Sequence, residues 1–270
     1  MPKTTKPQIL LTNDDGIQSP GLWAAAGALA ALGRVTVAAP QEQSSGMGRS
    51  LPSTSSGIIK EEKLHVNGQE WIVYAVSGSP AQAVQHAILE IMPRKPDLVV
   101  SGINYGENVG FGTTISGTVG AAMEAAAQGL PALAISLEAA QQYHLSYSRE
   151  VDFSAAAHFT AFFGRILLQK KMPRDVHLLK VDVPSEAAVD TPWTITHVAH
   201  QGYYEPLAPQ RKSWSVKGPL GYKEAAVLDG ADQDSDVVVL RKKRIVSVTP
   251  ISLDMTSRVN LPDLEQTLRG

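Results

Sequence analysis

The chain has 270 residues, of which 43% are hydrophobic and 19% charged, with a formal net charge of -2 and no cysteine. This length and composition suit a globular protein with one large core, or with one core and a smaller appended unit. The charge balance lacks the positive excess of a nucleic-acid-binding protein, and the absence of cysteine excludes disulfides, thiolate metal sites and cysteine nucleophiles.

The termini and the charge runs predict no membrane or nucleic-acid role. Residues 1–8 are polar, and no apolar run in the sequence approaches the length that spans a membrane. We therefore predict a cytoplasmic protein with no membrane partner and no nucleic-acid polymer as partner. The basic run Arg241-Lys242-Lys243-Arg244 is interpreted as a solvated turn or a strand edge.

The first part of the chain predicts a strand, a helix and a second strand. The apolar run Ile9-Leu10-Leu11-Thr12 stops at Asn13-Asp14-Asp15-Gly16, which is typical of a strand that ends in a charged turn. Ser19-Pro20 begins a helix that ends at Leu32-Gly33. Residues 34–39 have the pattern of a second strand, and this order gives a parallel pair with a right-handed crossover.

An antiparallel excursion is predicted next. A polar loop at residues 41–50 follows the second strand. Residues 58–66 and 69–76 are then strand-like and flank Asn67-Gly68, which is a strong signal for a tight hairpin turn. We therefore predict a β-hairpin inserted into the larger fold.

Strands and helices then alternate to about Pro184. The predicted elements are a helix from Ser79-Pro80 to about Met92, a strand at 97–101, a glycine-rich loop at 102–110, a helix opened by Ser116-Gly117-Thr118 and running to Gln128, a strand at 130–137, a helix at 151–169 and a strand at 176–183. This alternation predicts a Rossmann-like, doubly wound, mostly parallel α/β sheet with the inserted hairpin.

A C-terminal β-rich extension is predicted beyond this sheet. From Thr191 the chain has short strand-like pieces such as residues 193–198 and 241–249, and a short helix is expected near 263–268. We divide the chain into an α/β catalytic domain at 1–187 and an arm at 188–270 that serves in oligomerisation.

Three loops should meet at the carboxyl edge of the sheet, where open α/β sheets bind ligands. They are residues 13–16, 41–50 and 102–112, joined by the helix start at Ser116. Their carboxylate, hydroxyl and amide oxygens suit a hard cation, Mg²⁺ or Mn²⁺ first and Ca²⁺ as a further candidate, and disfavour zinc. Asp14 and Asp15 repel each other, so they form either a surface turn in water or a pair that shares a cation.

Other common sites are not indicated by the sequence. Gly-x-Gly-x-x-Gly does not follow the first strand, and Gly-x-x-x-x-Gly-Lys-Ser/Thr occurs nowhere in the chain. His197 and His200 show no metal-binding spacing on a predicted helix, so we predict structural or surface roles for them.

Four motifs follow one another between residues 8 and 137, and a further one lies near the C-terminus. They are Leu10-Leu11-Thr12-Asn13-Asp14-Asp15-Gly16, Ala39-Pro40 with Ser45-Gly46, the run from Pro96 to Gly110, the run from Ile115 to Glu124, and Thr249-Pro250 with Asp254 and Thr256. In combination and in order they resemble the SurE (survival protein E) family of acid-phosphatase-like nucleotidases.

The resemblance implies a divalent-metal-dependent phosphomonoesterase that hydrolyses nucleoside monophosphates as a 5'-nucleotidase, with 3'-nucleotidase and exopolyphosphatase activity left open. It implies one cation per subunit, bound by Asp14, Asp15, Ser45 and Asn104, with Asp14, Asp15 and Asn104 as the catalytic residues. Ser45 is the match because it directly precedes Gly46. The resemblance also implies a homodimer or homotetramer built through an exchanged C-terminal arm.

Substrate contacts are predicted beside this metal site. The N–H groups of Ser116, Gly117 and Thr118 are candidates for a phosphate cradle, and Asn13 and Asn108 could orient a bound ligand. Two alternative functions stay open at this point: a non-catalytic nucleotide-binding or regulatory protein of the same fold, and a metal-dependent sugar-nucleotide transferase. The base preference and the nucleophile, an aspartate or water, are also open.

Overall fold

The structure, a computed structural model, describes residues 6–66, 68–226 and 230–270. Residues 1–5 and Asn67 of the predicted hairpin turn lie outside the described residues. The strands are β1 (Gln8–Thr12), β2 (Arg34–Pro40), β3 (Ile59–Val66), β4 (Gln69–Val76), β5 (Leu98–Tyr105), β6 (Ala132–Leu137), β7 (Leu178–Val183), β8 (Trp193–Ile195), β9 (Tyr204–Leu207), β10 (Gly221–Glu224) and β11 (Val246–Ile251). The helices are α1 (Pro20–Leu29), α2 (Pro80–His86), α3 (Gly117–Ala127), α4 (Ser154–Gln169), α5 (Asp236–Arg241) and α6 (Leu261–Arg269).

One mostly parallel sheet forms the centre of the protein. Its strand order is β3-β4-β2-β1-β5-β6-β7-β11-β8. The pairs from β4 through to β7 are parallel, whereas β3 is antiparallel to β4, and β11 is antiparallel to β7. β2, β4 and β3 lie on one side of β1, and β5, β6 and β7 lie on the other side. The loops that follow β1 and β5 therefore diverge from one point at the edge of the sheet. The predicted doubly wound α/β fold is confirmed.

Helices cover both faces of this sheet. Ile9 and Leu11 belong to the core cluster under α1 and α4, and Leu10 belongs to the cluster under α2 and α3. Successive side chains of a strand point to opposite faces, so a strand covered on both sides must be apolar throughout. This explains the continuous apolar run that precedes Asp14. None of the described helices has the length and hydropathy to cross a lipid bilayer.

The structure shows how the predicted hairpin and the C-terminal strands pair. β3 and β4 pair antiparallel with Val66 opposite Gln69, which confirms the inserted hairpin. Beyond residue 187, β8 and β11 continue the central sheet, and β9 and β10 form a separate antiparallel pair. The division at residues 187 and 188 and the oligomeric role of the arm stay predictions.

The glycine-rich loop predicted at 102–110 begins later than expected. β5 continues through Tyr105, with a shift of register between Ser101 and Asn104 against β6. Gly102 has a φ of +125°, and a Cβ at this residue would lie 2.2 Å from the carbonyl oxygen of Ile135. The glycine therefore permits an irregular strand next to β6, and the prediction of a loop from Gly102 to Tyr105 was wrong.

The basic run was also misplaced. Residues 241–249 were predicted as strand-like, but Arg241 ends α5, and β11 begins only at Val246. The β-branched run before Arg241 has a strand composition, yet the Ser235 side chain accepts a hydrogen bond from the N–H of Val238 and caps a helix. Arg241 and Arg244 are not simply solvated, since both form ion pairs with the buried Glu138 at 2.7 and 2.6 Å.

Candidate active site

Two buried carboxylates follow β1. Asp14 is 3% exposed and Asp15 is 2% exposed. The turn is fixed from within, because the N–H of Gly16 donates to Asn13 Oδ1 at 3.2 Å, and Asn13 Nδ2 donates to the carbonyl oxygen of Gly16 at 3.0 Å. The structure thus places Asn13 in the turn, and the alternative of a water-exposed surface turn is wrong.

Asp14 lies against the start of α3. The Thr118 hydroxyl donates a hydrogen bond to Asp14 Oδ1. A Cβ on Gly117 would lie 2.8 Å from both Cβ and Oδ2 of Asp14, so only glycine leaves room for this approach. Burial raises the pKa of Asp14, and the Thr118 hydroxyl and N–H groups at the start of α3 offset part of that rise. The carboxylate therefore faces the positive end of the helix dipole.

Asp15 is held by groups from the end of β5 and from the loop that follows β2. The N–H of Tyr105 donates to Asp15 Oδ2 at 3.2 Å, and Gln43 Nε2 donates to Asp15 Oδ1 at 3.3 Å. Gln43 Nε2 also donates to Ser45 Oγ at 3.1 Å, so one amide links the predicted metal ligands Asp15 and Ser45. Burial, and then the charge of Asp14, raises the pKa of Asp15 well above its ordinary value.

Asn104 comes from the irregular end of β5. Its Nδ2 donates to the carbonyl oxygens of Gly106 at 2.6 Å and Tyr105 at 3.3 Å, which leaves its Oδ1 as the atom for a ligand. Asp14, Ser45 and Asn104 line the same cavity, whose volume is about 480 Å³. The structure thus brings side chains from all three predicted loops to one cavity.

The donor set fits a hard cation. Asp14 and Asp15 are adjacent and buried, and the pKa of each is raised. A cation shared by the two would therefore lower the free-energy cost of keeping both carboxyls ionised. Among the described residues, no group of three or more His, Cys, Asp or Glu side chains could hold a metal. The remaining ligands here would be the neutral oxygens of Ser45 and Asn104, which suits Mg²⁺ or Mn²⁺ better than zinc.

The predicted substrate residues fall into two sets. Asn108 and Ser116 line the cavity, whereas Gly117 and Thr118 lie behind it and contact Asp14. Asn108 Nδ2 donates to Ser136 Oγ at 2.8 Å. The Ser116 hydroxyl accepts the N–H of Val119 at 3.1 Å and therefore caps α3.

Comparison with known proteins decides the family. The family model described as survival protein SurE matches residues 9–205. The chain belongs to the SurE family. It is 40% identical to a Thermococcus gammatolerans protein named 5'-nucleotidase SurE, over 97% of this chain and 96% of the relative. It is 38% identical to the Methanosarcina acetivorans protein of the same name, over 99% and 100% of the two chains.

A solved SurE structure has the same fold. The crystal structure of the SurE protein from Aquifex aeolicus matches with a TM-score of 0.73 and 31% identity, over 98% of this chain and 100% of that one. The coverage extends past residue 205, where the family model ends. The similarity of fold therefore includes the C-terminal part of the chain.

One wall of the cavity in this SurE chain is aromatic and was not predicted. Tyr204 on β9 and Tyr222 on β10 have ring centroids 5.2 Å apart, and His144 stacks on Tyr222 at 6.2 Å with an interplanar angle of 14°. Glu107 also lines the cavity. The available signal was the group of tyrosines in an otherwise polar extension, but nothing in the sequence links residues so far apart.

The histidines that the sequence singled out have surface positions. His197 and His200 are exposed, as predicted, and His197 Nε2 lies 3.3 Å from Asp232. Neither of them lines the cavity. The SurE site therefore draws its polar groups from the strand ends, with His144 as an aromatic wall residue.

Proposed function

We propose that this chain is a 5'-nucleotidase that hydrolyses nucleoside monophosphates to nucleoside and phosphate, with one divalent cation, Mg²⁺ or Mn²⁺, per subunit. The observation that carries the proposal is the buried pair Asp14 and Asp15 beside the start of α3, at a cavity with an aromatic wall. The names of the SurE relatives support the nucleotidase activity. The raised pKa values of the two carboxyls support the cation.

The cation would be held by Asp14, Asp15, Ser45 and Asn104. When bound, it would neutralise negative charge that grows on the phosphoryl oxygens during hydrolysis. Asp14 is oriented by Thr118, and Asp15 by Tyr105 and Gln43. Because these partners come from three separate elements, α3, β5 and the loop after β2, they fix the relative position of the two carboxylates.

The phosphate would lie in the cavity, beside Asp14 and Ser116. The N–H groups of Gly117 and Thr118 already stabilise the Asp14 carboxylate, so the start of α3 would act on the phosphate through the helix dipole. Asn108 Nδ2 carries a second N–H besides the one given to Ser136, and this hydrogen can reach a phosphate oxygen. The aromatic wall of Tyr204 and Tyr222, whose rings meet edge to face, offers an apolar surface for the nucleoside.

The proposal is tested by phosphate release from purified protein. The substrates are 5'- and 3'-nucleoside monophosphates and polyphosphate, each with Mn²⁺, with Mg²⁺ and with EDTA. We expect release from 5'-monophosphates that needs the cation. Nucleotide binding without release would instead indicate a regulatory binding protein, and consumption of a sugar nucleotide without free phosphate would indicate a transferase.

Gly117→Ala should lower activity without unfolding the protein. The added Cβ would meet Asp14 at 2.8 Å and displace its carboxylate from the position that Thr118 fixes. Displacement of a catalytic group by a fraction of an ångström to 1 Å lowers kcat/KM by about tenfold to a hundredfold. Steady-state phosphate release with Mn²⁺ measures this loss.

The matched control is Gly27→Ala in α1. A Cβ at Gly27 meets nothing within 4 Å, so this variant should keep wild-type activity and gain about 0.5–1 kcal/mol of stability from better helix propensity. Equal activity of the Gly117 and Gly27 variants would contradict the proposed position of Asp14 in the site.

We also propose that the C-terminal arm joins copies of the chain in a homodimer or homotetramer. Leu261, Leu264 and Leu268 share one side of α6 and are 55%, 42% and 78% exposed within one subunit. Leu264→Asp combined with Leu268→Asp should therefore lower the assembly state measured by light scattering. Gln266→Asp on the same helix is the control, and an unchanged assembly state in the leucine variant would exclude α6 from the interface.

A further inference from the structure

The loop that carries Ser45 is attached to the rest of the protein on both sides of that residue. Before it, the N–H of Ser44 donates to the carbonyl oxygen of Asp14 at 2.6 Å. After it, the N–H of Gly48 donates to the carbonyl oxygen of Ile115 at 2.9 Å. Ser45, a proposed ligand of the cation, therefore lies in a short span between the turn after β1 and the residues just before α3.

One side of α3 receives both the turn and the loop. Gly117, Gly120 and Glu124 follow one another at spacings of three and four residues, which places them on the same side of a helix. Gly117 lies against Asp14, and a Cβ on Gly120 would collide with the carbonyl oxygen of Gly48. The backbone of the loop is therefore in direct contact with the backbone of α3.

Glu124 binds the end of this loop through Arg49. Arg49 Nε donates to Glu124 Oε2 at 2.8 Å, and the Glu124 side chain is 4% exposed. The other oxygen, Oε1, accepts Nε2 of Gln85 at 2.9 Å and Nε2 of Gln128 at 3.1 Å. Because both carboxylate oxygens are engaged, Glu124 keeps one position and is a fixed attachment point for Arg49.

This ion pair is better suited to fixing a position than to raising stability. Burial of a carboxylate costs free energy that an ion pair regains only in part, and apolar side chains in such places are often as stable. A charged hydrogen bond has a definite length and direction, however, and Arg49 follows Ser45 by only four residues. The place of Arg49 therefore restricts the path of the chain at Ser45.

We propose that the Arg49–Glu124 ion pair positions the Ser45 hydroxyl for the cation. The inference rests on the proposed function, because it concerns the cation site of that function. Arg49 and Glu124 are positioning residues, since neither lines the cavity. A neutral hydroxyl attracts a cation less than a carboxylate does, so its contribution depends on being held in place before the cation arrives. Groups that orient the ligands of a metal typically account for about tenfold to a hundredfold in metal affinity.

Mn²⁺ binding, measured by calorimetry on the full-length, metal-free protein without substrate, tests the proposal. Arg49→Met keeps much of the side-chain length but removes the charge, and it should raise the Kd for Mn²⁺ by about tenfold to a hundredfold. Arg94→Met is the matched control, because Arg94 pairs with Asp97 at 2.7 Å and is about as exposed as Arg49. The control should bind Mn²⁺ as the wild type does.

A double-mutant cycle with Ser45→Ala separates positioning from a general structural effect. If the ion pair acts through the Ser45 hydroxyl, Arg49→Met should change the Kd little once that hydroxyl is absent. The double variant should then resemble Ser45→Ala alone. Fold-changes that multiply in the double variant would overturn the proposal, as would wild-type affinity for Mn²⁺ in folded Arg49→Met.

Glu124→Gln tests the ion pair from the other side. This variant leaves no buried charge, because Arg49 is partly exposed and water can solvate the released guanidinium. It should therefore fold even where Arg49→Met does not, and it should raise the Kd for Mn²⁺ to a similar extent. The Mn²⁺ concentration for half-maximal phosphate release should rise in parallel, and excess Mn²⁺ should restore most of kcat. Wild-type Mn²⁺ affinity in Glu124→Gln would contradict the proposal.

Failure of this proposal is distinguishable from failure of the proposed function. Mn²⁺-dependent phosphate release, with wild-type Mn²⁺ affinity in both ion-pair variants, would support the function and reject the role of the ion pair. A Kd that depends on Arg49 only while Ser45 is present, without phosphate release from any monophosphate, would support the role of the ion pair and reject the nucleotidase activity. Absence of Mn²⁺ binding in the wild type would reject the cation site and the role of the ion pair together.

Discussion

Asp14→Asn and Asp15→Asn should each abolish metal-dependent phosphate release and leave the protein folded. Each change keeps the shape of the side chain but removes one of the two charges that would hold the cation. Loss of about 4 kcal/mol of transition-state stabilisation corresponds to a decrease in kcat on the order of a thousandfold. Phosphate release with saturating Mn²⁺ measures the effect.

The same variants should separate metal binding from folding. In EDTA, their free energy of unfolding should equal or exceed that of the wild type, because the repulsion between two adjacent buried carboxylates is relieved. Added Mn²⁺ should raise the Tm of the wild-type protein, since a ligand that binds only the folded state stabilises it. It should not raise the Tm of either variant.

Asp190→Asn provides the control for this pair, since Asp190 is exposed. That variant should keep both turnover and the thermal response to Mn²⁺. Near-normal turnover in both Asp14→Asn and Asp15→Asn would remove the proposed metal site, whatever their stability.

Lys180→Met should cause the largest loss of stability from one substitution on the central sheet. Lys180 Nζ is fully buried, 2.5 Å from Asp182 and 3.1 Å from Asp236. Burial alone would lower the pKa of Lys180, but the charges of the two aspartates raise it, so the lysine is charged. Its removal leaves two buried carboxylates without a cation, which costs about 3–5 kcal/mol.

The effect should extend to the cavity. Asp182 accepts the N–H of Asn108 at 2.7 Å, and Asp236 accepts the N–H of Gly110 at 3.1 Å. Repulsion between Asp182 and Asp236 would break these two hydrogen bonds and release residues 108–110 beside the cavity. The KM of the Lys180→Met protein that folds should therefore rise. Urea unfolding followed by circular dichroism gives the stability loss.

Lys223→Met is the matched control for the lysine. Lys223 and Glu205 form an ion pair at 3.0 Å, but both side chains are more than half exposed, so solvent screens it. Its loss should cost less than about 1 kcal/mol. A similar cost for Lys180→Met and Lys223→Met would show that the buried cluster contributes no more than a surface pair.

The strand ends could be predicted because local pattern and sheet geometry act together there. An apolar run that stops at Asn13-Asp14-Asp15-Gly16 marks both a buried strand and its carboxyl end. The rule that ligands bind at this edge then placed the loops 41–50 and 102–112 beside Asp14, whereas Ser45 and Asn104 within them came from the resemblance to the SurE family. The meeting of the loops needed only strand order and direction.

Other features depend on contacts between distant residues and were therefore missed. Glu107 is one polar residue in a glycine-rich run, and its buried surroundings include Tyr203 and Arg241, residues roughly 100 and 130 positions later. The end of β5 was not predicted, because glycines in a sequence usually indicate a loop. Here Gly102 instead makes room for the backbone of β6. In α5, the capping serine outweighed the strand composition of the valines.

The cavity is built from two parts of the chain with different constraints. Asp14, Asn104 and Ser116 stand on the central sheet and its helices, whereas Tyr204 and Tyr222 belong to a separate two-stranded hairpin. Under the proposed function, substitutions in the hairpin would change which base fits while the phosphate end stays intact. Selectivity and chemistry would then change independently of each other, because they depend on different parts of the chain.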